Sequence, residues 1–291
     1  MERELDSIVF EGGLPEERAR ILLEAFQTRF WNEMEVLLFP ALNPALAKEL
    51  VPAEGLGHLD QALARGKGAL LLFAHFGANQ MVMPAIGHRG YRMCQLGAPP
   101  TVWPEKMPGR KFSSMARRAL ELRWEHECSL PVKHISVFGS LKPVFRCLKE
   151  NGVLGIAADG GGGAARVAVP LFGRRALLST GAMEIAARTG CAVLPVFMIR
   201  DRRGRSTMLI EPPLDIDISG GENAVSKNMS RFALRLGYHV RRHPGHYLDF
   251  MALRRFMESL GDPPFLLDSE NGEQEEAARP ADVPAAVPHR N

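Results

Sequence analysis

Cysteine is scarce in this sequence, and long apolar runs are missing. The 291 residues include four cysteines, which are widely spaced and form no CxxC pair. This pattern argues against a disulfide framework or a zinc site and is typical of reduced thiols in the cytoplasm. The longest apolar runs, 69–74 and 192–199, have the length of strands, whereas a helix that spans a bilayer needs roughly 20 residues. The charged amino-terminal segment does not resemble a signal peptide, so we expect neither a leader nor a membrane span.

Charge is unevenly distributed along the chain. The formal net charge is +3, but the segment from Asp262 onward holds seven acidic and two basic residues, which leaves +8 on the residues before it. A basic body predicts an anionic partner: a phospholipid surface, nucleic acid or an acidic carrier protein. Composition does not choose among these three.

Residues 15–39 are predicted to form a helix within an amino-terminal helical segment, 15–50. Pro15 suits the first helical position, and Glu16 and Glu17 suit the positive end of the helix dipole. Apolar side chains recur at three- and four-residue spacing: Leu22, Phe26, Phe30, Met34 and Leu37. Two interpretations of this apolar face stay open. It packs against the core, or it rests on a membrane or lines a groove for an acyl chain.

The rest of the sequence alternates between strands and helices, which predicts an α/β fold with a central, mostly parallel sheet flanked by helices. The predicted strands are 69–74, 91–96, 135–137, 153–158, 167–172, 192–199 and 208–211. The predicted helices are 59–64, 112–124, 141–149, 180–188 and 223–240, and the proline-rich stretch 98–110 is expected to be a loop. We expect one domain, 1–265, followed by an acidic tail, 266–291, which is disordered because it has few large apolar residues.

A histidine follows the first buried strand, in the stretch LLLFAHFGANQ. In an α/β sheet, ligands bind beyond the carboxyl ends of strands, which is where His75 lies. Gly77 and Ala78 leave space for a substrate or for another stretch of backbone. His75 is therefore a candidate general base, although a single histidine can equally be structural. Asn79 and Gln80 follow closely, and their amide groups could orient the histidine ring.

A second buried strand leads into a glycine-rich loop, GIAADGGGGAAR (155–166). Asp159 ends the strand, and four glycines beginning with Gly160 and Gly161 precede Arg166. Backbone N–H groups of such a loop can converge on an anion, and an arginine can add a bidentate phosphate contact. The loop lacks the Lys and Ser/Thr of a Walker motif, and a strand rather than a helix follows it. The pattern indicates an anion or acceptor site; a surface loop without function is the simpler alternative.

These segments together resemble the glycerolipid acyltransferase superfamily, in particular its bacterial lipid A biosynthesis (lauroyl/myristoyl) acyltransferases. The resemblance covers roughly residues 15–260 and is most specific over 153–214, where both order and spacing match. It is carried by the following segments: His75-Phe76, the strand and loop at 155–159, VPLFG (169–173), Thr180-Gly181, RTGCAVLPVF (188–197), EPPL (211–214) and, more weakly, HYLDFMALRRF (246–256).

The resemblance implies acyl transfer from acyl carrier protein or acyl-CoA to a hydroxyl group. In the family, the histidine is the general base, and a carboxylate five residues later orients it. His75 is the matching histidine here, but Gln80 occupies the carboxylate position. Three possibilities follow: His75 works with Gln80, Asp159 takes over the supporting role, or the chain binds lipid or acyl groups without chemistry. An amide can orient the ring but cannot stabilise the imidazolium with charge.

We therefore expect a peripheral O- or N-acyltransferase on the inner, cytoplasmic face of the cell membrane. Its expected catalytic residues are His75, Gln80 and Asp159, and its expected substrate-binding residues are Asn79, Gly160, Gly161, Arg166 and Thr180. No metal or cofactor is expected besides the acyl thioester donor. The expected partners are acyl carrier protein or a CoA thioester and an anionic membrane surface, rather than nucleic acid. A non-catalytic lipid-binding protein and, more remotely, a nucleotide-binding protein are the rival interpretations.

Overall fold

A computed structural model describes residues 1–8, 14–107, 111–160, 165–219 and 221–267. The predicted site residue Gly161 and nearly all of the predicted tail lie outside the described residues. The strands are β1 (Ala53–Glu54), β2 (Ala69–Phe73), β3 (Met93–Gly97), β4 (Val132–Ser136), β5 (Val153–Ala157), β6 (Arg166–Leu171), β7 (Arg174–Ser179), β8 (Ala192–Arg200), β9 (Ser206–Ile210) and β10 (Leu266–Leu267).

The helices alternate with these strands along most of the chain. They are α1 (Glu2–Ile8), α2 (Pro15–Leu38), α3 (Pro44–Leu50), α4 (Leu56–Leu63), α5 (Val82–Gly87), α6 (Trp103–Lys106), α7 (Ser114–Cys128), α8 (Lys142–Lys149), α9 (Gly181–Thr189), α10 (Gly221–Arg242) and α11 (Gly245–Ser259). Short 3₁₀ turns lie at Phe39–Ala41, Asn79–Met81 and Pro100–Val102.

Seven strands form the central sheet, in the order β1-β9-β8-β2-β5-β3-β4. All neighbouring pairs are parallel except β8 and β9, which are antiparallel. Strand β2 lies in the middle and is buried at every position, because helices cover both faces of a parallel sheet. The predicted fold class, α/β with a mostly parallel central sheet, is confirmed.

A second, three-stranded sheet was not predicted as such. The order is β10-β7-β6, and all pairs are antiparallel. No strand was predicted between residues 172 and 180; in the structure, β6 and β7 form a hairpin through Phe172 and Gly173, which both have positive φ. A two-residue connection with two positive φ values matches the right-handed twist of the flanking strands. The stretch 98–110, predicted as a loop, contains a 3₁₀ turn and α6.

Helix α2 begins and ends almost where the sequence predicted, but three of the five residues on its predicted apolar face point outward. Phe26, Phe30 and Leu37 are each about half exposed. The buried face carries mainly other residues, including Ile21, Ala25, Thr28, Glu35 and Val36. The core-packing interpretation of the predicted face is therefore wrong for these three side chains.

Buried polar contacts hold α2 against the carboxyl ends of the central strands. Arg200, the last residue of β8, makes a bidentate ion pair with Glu35 at 2.7 and 2.9 Å. Arg200 also donates to the Asn32 side chain, and Asn32 donates to the carbonyl oxygen of Gly77 at 2.9 Å. Through this chain of contacts, α2 fixes the turn that follows His75.

Candidate active site

His75 and Asp159 lie side by side because β2 and β5 are paired in parallel. Phe73 is opposite Ala157 in the ladder, so the residues two positions further on are also opposite each other. The Nδ1 atom of His75 lies 2.7 Å from Oδ1 of Asp159, and the His75 backbone N–H donates to Oδ2 at 2.8 Å. The Asp159 side chain is fully buried, whereas 40% of the His75 side chain is exposed.

Helix α11 supports both members of this pair. Tyr247, which is fully buried, donates its hydroxyl to Oδ2 of Asp159 at 2.9 Å. Burial, followed by the negative charge of Asp159, raises the pKa of Tyr247 well above its usual value, so it stays a donor. Phe250 stacks on the His75 ring with centroids 4.6 Å apart and planes 4° apart. The sequence analysis assigned no role to Tyr247 or Phe250; the weak family resemblance at 246–256 was the one signal that pointed to them.

Gly77 gives the backbone the turn that His75 requires. Its φ is +58°, and its N–H donates to the carbonyl oxygen of His246 at 2.9 Å. An added Cβ atom would lie 1.8 Å from the carbonyl oxygen of Met198. Only glycine combines this close approach with this backbone conformation.

Gln80 and Asn79 do not take the role that the sequence analysis gave them beside the histidine ring. Nδ1 of His75, the ring nitrogen that an orienting group would contact, is hydrogen-bonded to Asp159 instead. The side-chain oxygen of Gln80 is buried and has no hydrogen-bond partner among the described residues. Asn79 begins the 3₁₀ turn after Gly77. Of the two partners that the sequence offered for His75, Gln80 and Asp159, it is Asp159 that makes the contact.

The described part of the glycine loop borders the histidine. An added Cβ atom on Gly160 would lie 4.0 Å from Cε1 of His75, so the missing side chain keeps the ring edge accessible. Arg166 opens β6 on the far side of the loop. Burial, and then the charge of Arg254, lower the pKa of Arg166. The charge of Asp262 acts in the opposite direction and favours the charged form of Arg166.

Thr180 lies between the glycine loop and α9, and its side chain does not cap that helix. Its hydroxyl bonds to the Glu184 carboxylate at 2.6 Å, and its N–H donates to the carbonyl oxygen of Ala165 at 3.2 Å. The described contacts of Thr180 therefore fix the end of the glycine loop.

One group of described residues has the composition of a metal site. Potential ligand atoms of Glu24, His243 and His246 all lie within 4.8 Å of one another. However, Nε2 of His246 accepts the backbone N–H of Arg200 at 2.9 Å. In a neutral imidazole the proton is then on Nδ1, the atom that lies 2.8 Å from Glu24. Because this proton occupies the position that a metal would need, the cluster is better described as a carboxylate–histidine pair.

His243 gives the protein a predictable acid sensitivity. Burial, followed by the nearby charge of His246, lowers the pKa of His243 to about 4 from its usual 6.5. The unfolded chain therefore binds a proton before the folded chain does, and the free energy of unfolding should fall as the pH drops from about 6.5 to about 4. In His243→Gln, this decline should be shallower.

Urea unfolding of both proteins at half-unit steps from pH 8 to pH 4 would measure this difference. Above pH 7 the two curves should run parallel, since His243 is neutral in both the folded and the unfolded state. Curves that also run parallel between pH 6.5 and pH 4 would contradict the assignment.

The geometry fits general-base chemistry. The Nδ1–H group of His75 donates a hydrogen bond to the buried carboxylate. In this tautomer Nε2 carries no proton, so it can accept one from a bound hydroxyl. The carboxylate also stabilises the imidazolium that results. A histidine held in this way at the carboxyl edge of a parallel sheet is an arrangement that transferases and hydrolases share.

The comparisons with known proteins decide between these classes. The sequence profile of the bacterial lipid A biosynthesis acyltransferases matches residues 7–258, and the chain belongs to this family. A phosphatidylinositol mannoside acyltransferase of Mycobacterium tuberculosis is 30% identical over 218 residues, which are 72% of this chain and 63% of the relative. The corresponding protein of Mycolicibacterium smegmatis is 27% identical over 228 residues, 77% of this chain and 69% of the relative. The match thus spans just under two thirds of the M. tuberculosis protein.

In the part of the chain that the structure describes, no helix is both long enough and apolar enough to cross a bilayer.

Proposed function

We propose that this protein transfers a fatty acyl chain from an acyl carrier protein or CoA thioester to a hydroxyl or amine of a polar lipid, with His75 as general base. The observation that carries the proposal is the 2.7 Å contact between His75 and the buried Asp159 in a member of an acyltransferase family. The net charge of +8 on the residues before Asp262 favours an acidic acyl carrier protein as donor.

In the proposed reaction, the acceptor supplies the nucleophile. Nε2 of His75 removes the proton from the acceptor hydroxyl as its oxygen attacks the thioester carbonyl carbon. Asp159 stabilises the imidazolium, and Tyr247 holds the carboxylate in place through Oδ2. When the tetrahedral intermediate collapses, the C–S bond breaks, and the imidazolium returns the proton to the departing thiolate.

The acceptor proposed here is a glycosylated phospholipid. The relatives carry the name phosphatidylinositol mannoside acyltransferase, and such a lipid combines sugar hydroxyls with a phosphate. Gly160 leaves the edge of the His75 ring accessible to a sugar hydroxyl. Arg166, at the end of the same loop, is suited to an anionic headgroup because guanidinium binds phosphate in a bidentate manner.

The proposal is tested by turnover with a defined donor and a panel of acceptors. Wild-type protein is incubated with palmitoyl-CoA or palmitoyl acyl carrier protein and with phospholipids that do or do not carry a mannose residue. Acylated product is then measured by mass spectrometry. Product that forms with the wild type and disappears with His75→Ala supports the proposal. Lipid binding without product from any donor would favour the non-catalytic alternative that Gln80 first suggested.

We propose that the exposed apolar side chains of α2 hold the protein on an anionic membrane surface. The exposed stripe comprises Leu23, Phe26, Phe30 and Leu37, with Trp31 and Leu38 beside it. The opposite face of α2 packs against the protein, so this stripe lies on the side of the helix that faces outward. Exposed apolar patches of this kind mark interaction surfaces, and a helix can insert such a face among lipid headgroups. The basic body adds attraction to anionic lipid.

Removing two aromatic side chains from this stripe should weaken membrane binding by at least about tenfold. The double variant Phe26→Ser/Phe30→Ser removes two half-exposed rings, and each ring that enters the apolar layer contributes on the order of 1.5 kcal/mol. Co-sedimentation with vesicles of phosphatidylglycerol and phosphatidylcholine measures the binding. Leu234→Ser, a similarly exposed leucine on α10, is the matched control and should bind like the wild type. Equal binding of all three proteins would contradict the proposed surface.

A further inference from the structure

A cleft lies at the amino-terminal edge of the central sheet, opposite the edge that carries His75. Its volume is about 510 Å³, and its lining includes Arg92, Cys94, Lys133, Arg146, Cys147 and Glu150. Residues at or before the first positions of β3, β4 and β5 border the cleft, whereas His75 and Asp159 follow the last residues of β2 and β5. The cleft is therefore separate from the proposed acyltransferase site.

Two cysteines meet in the wall of this cleft. Cys94 lies on β3 and Cys147 on α8, and both residues line the cleft. Both belong to one buried apolar cluster, with 8% and 6% of their surfaces exposed. The Cys147 sulfur lies 3.6 Å from the carbonyl oxygen of Val153, and Val153 pairs in the sheet with Met93, the residue before Cys94. Two thiols that lie in one buried cluster and line one cleft are placed for reversible oxidation.

Positive charge surrounds the pair. Lys133 and Arg146 line the same cleft, and Arg92 lines it while paired with Glu150 at 2.6 Å. The neighbouring Cys147 thiol and, after the opposing effect of burial, the charges of Lys133 and Arg92 lower the pKa of Cys94 to about 7. A lowered pKa increases the fraction of Cys94 that is thiolate, which is the reactive form.

We propose that Cys94 and Cys147 form a reversible dithiol–disulfide site that takes small anionic disulfides from the cleft. The Cys94 thiolate attacks one sulfur of a disulfide RSSR, which forms a mixed disulfide and releases RS⁻. The Cys147 thiol then gives up its proton to the released RS⁻, which becomes RSH, and attacks the Cys94 sulfur. The Cys94–Cys147 bond forms, and a second RS⁻ leaves. Two protein thiols are oxidised as one RSSR is reduced to two thiols, and an excess of thiol reverses both steps.

The other two cysteines lack this combination of features. Cys128 lies at the end of α7 and is exposed as a residue. Partial burial of its sulfur, followed by the charge of Glu127, raises its pKa. Cys191 is buried, and burial raises its pKa too. Neither has the cysteine neighbour that Cys94 and Cys147 provide for each other. The cationic lining predicts a preference for disulfides that carry carboxylates, such as oxidised glutathione, over uncharged ones.

The test uses the full chain in a Cys128→Ser background, which removes the exposed thiol. The folded protein is incubated with oxidised glutathione at pH 7.5, quenched with iodoacetamide and weighed by mass spectrometry. We expect a loss of about 2 Da, protection of two thiols from alkylation, a linked peptide pair containing Cys94 and Cys147, and full reversal by dithiothreitol. With Cys147→Ser in the same background, a glutathione adduct of about 305 Da should accumulate on Cys94. Cys94→Ser should react at least about tenfold more slowly.

Two results would overturn the proposal. One is that Cys94 and Cys147 can both still be alkylated after the folded protein, with both cysteines present, has been treated with oxidised glutathione. The other is that a glutathione adduct stays on Cys94 although Cys147 is present. The linked peptide pair is measured in protein that retains both Cys94 and Cys147. The outcome therefore does not depend on how well the Cys94→Ser or Cys147→Ser variant folds. Hydroxyethyl disulfide, which is uncharged, should react more slowly than oxidised glutathione; equal rates would contradict the predicted preference for anionic disulfides.

Discussion

Asp159→Asn is expected to lower kcat for acyl transfer by about four orders of magnitude, the cost that a carboxylate-to-amide change has in Ser-His-Asp sites. The amide could still reach Nδ1 of His75, but it offers no charge to the imidazolium, and its NH₂ group can favour the wrong ring tautomer. KM for the acceptor should change much less, because the buried Asp159 acts through His75. Steady-state rates with the preferred donor and acceptor from the panel above measure both constants.

Gln80 supplies the matched control for this experiment. Gln80→Ala should leave kcat near the wild-type value, because the side-chain oxygen of Gln80 has no hydrogen-bond partner among the described residues. A large loss in Gln80→Ala with little loss in Asp159→Asn would show that the amide is the working partner. Circular dichroism and melting temperature of each variant separate a lost function from a lost fold.

Gly77→Ala is expected to lower the free energy of unfolding by at least about 3 kcal/mol. A left-handed backbone costs a residue other than glycine about 1–2 kcal/mol. In addition, the new methyl group would lie 1.8 Å from the carbonyl oxygen of Met198. Relief of this overlap has to move the turn that carries His75, so activity should fall further than the loss of stability alone would cause. Urea denaturation and single-turnover rates measure the two effects separately.

Gly160→Ala is the comparison for Gly77→Ala. Its new methyl group would make ordinary contacts, 3.8 Å from the carbonyl oxygen of Ala157 and 4.0 Å from the His75 ring. We therefore expect stability within about 0.5 kcal/mol of the wild type. Similar destabilisation in both variants would show that the Gly77 turn has no special requirement for glycine.

Local sequence patterns predicted much of the fold, because the preference of a segment for helix, strand or turn depends mainly on neighbouring residues. The buried character of β2 and the turn signals of α2 are visible within a few residues, and both elements are found close to their predicted bounds. The second sheet was harder to predict, since β7 and β10 pair only after the chain has returned from α11. The outward direction of Phe26 and Phe30 depends on which helices cover α2, and helical spacing alone does not contain that information.

The candidate site, too, was predicted only in part from the sequence. His75 and Asp159 were each recognised from the strand that precedes them, but their contact depends on the register of β2 and β5, which no short stretch of sequence specifies. Tyr247 and Phe250 lie far away along the chain and look like ordinary helix residues until α11 is packed. Proximity in sequence favoured Gln80 as the partner of His75, whereas pairing of strands selected Asp159.

Helix α11 brings the last contacts to a histidine that was synthesised some 170 residues earlier. Because a ribosome makes the chain from its amino terminus, β2 and β5 can pair while Tyr247 and Phe250 are still unmade. A nascent chain that ends before α11 therefore carries His75 and Asp159 without their aromatic support. His75 therefore has its full set of contacts only after α11 has emerged.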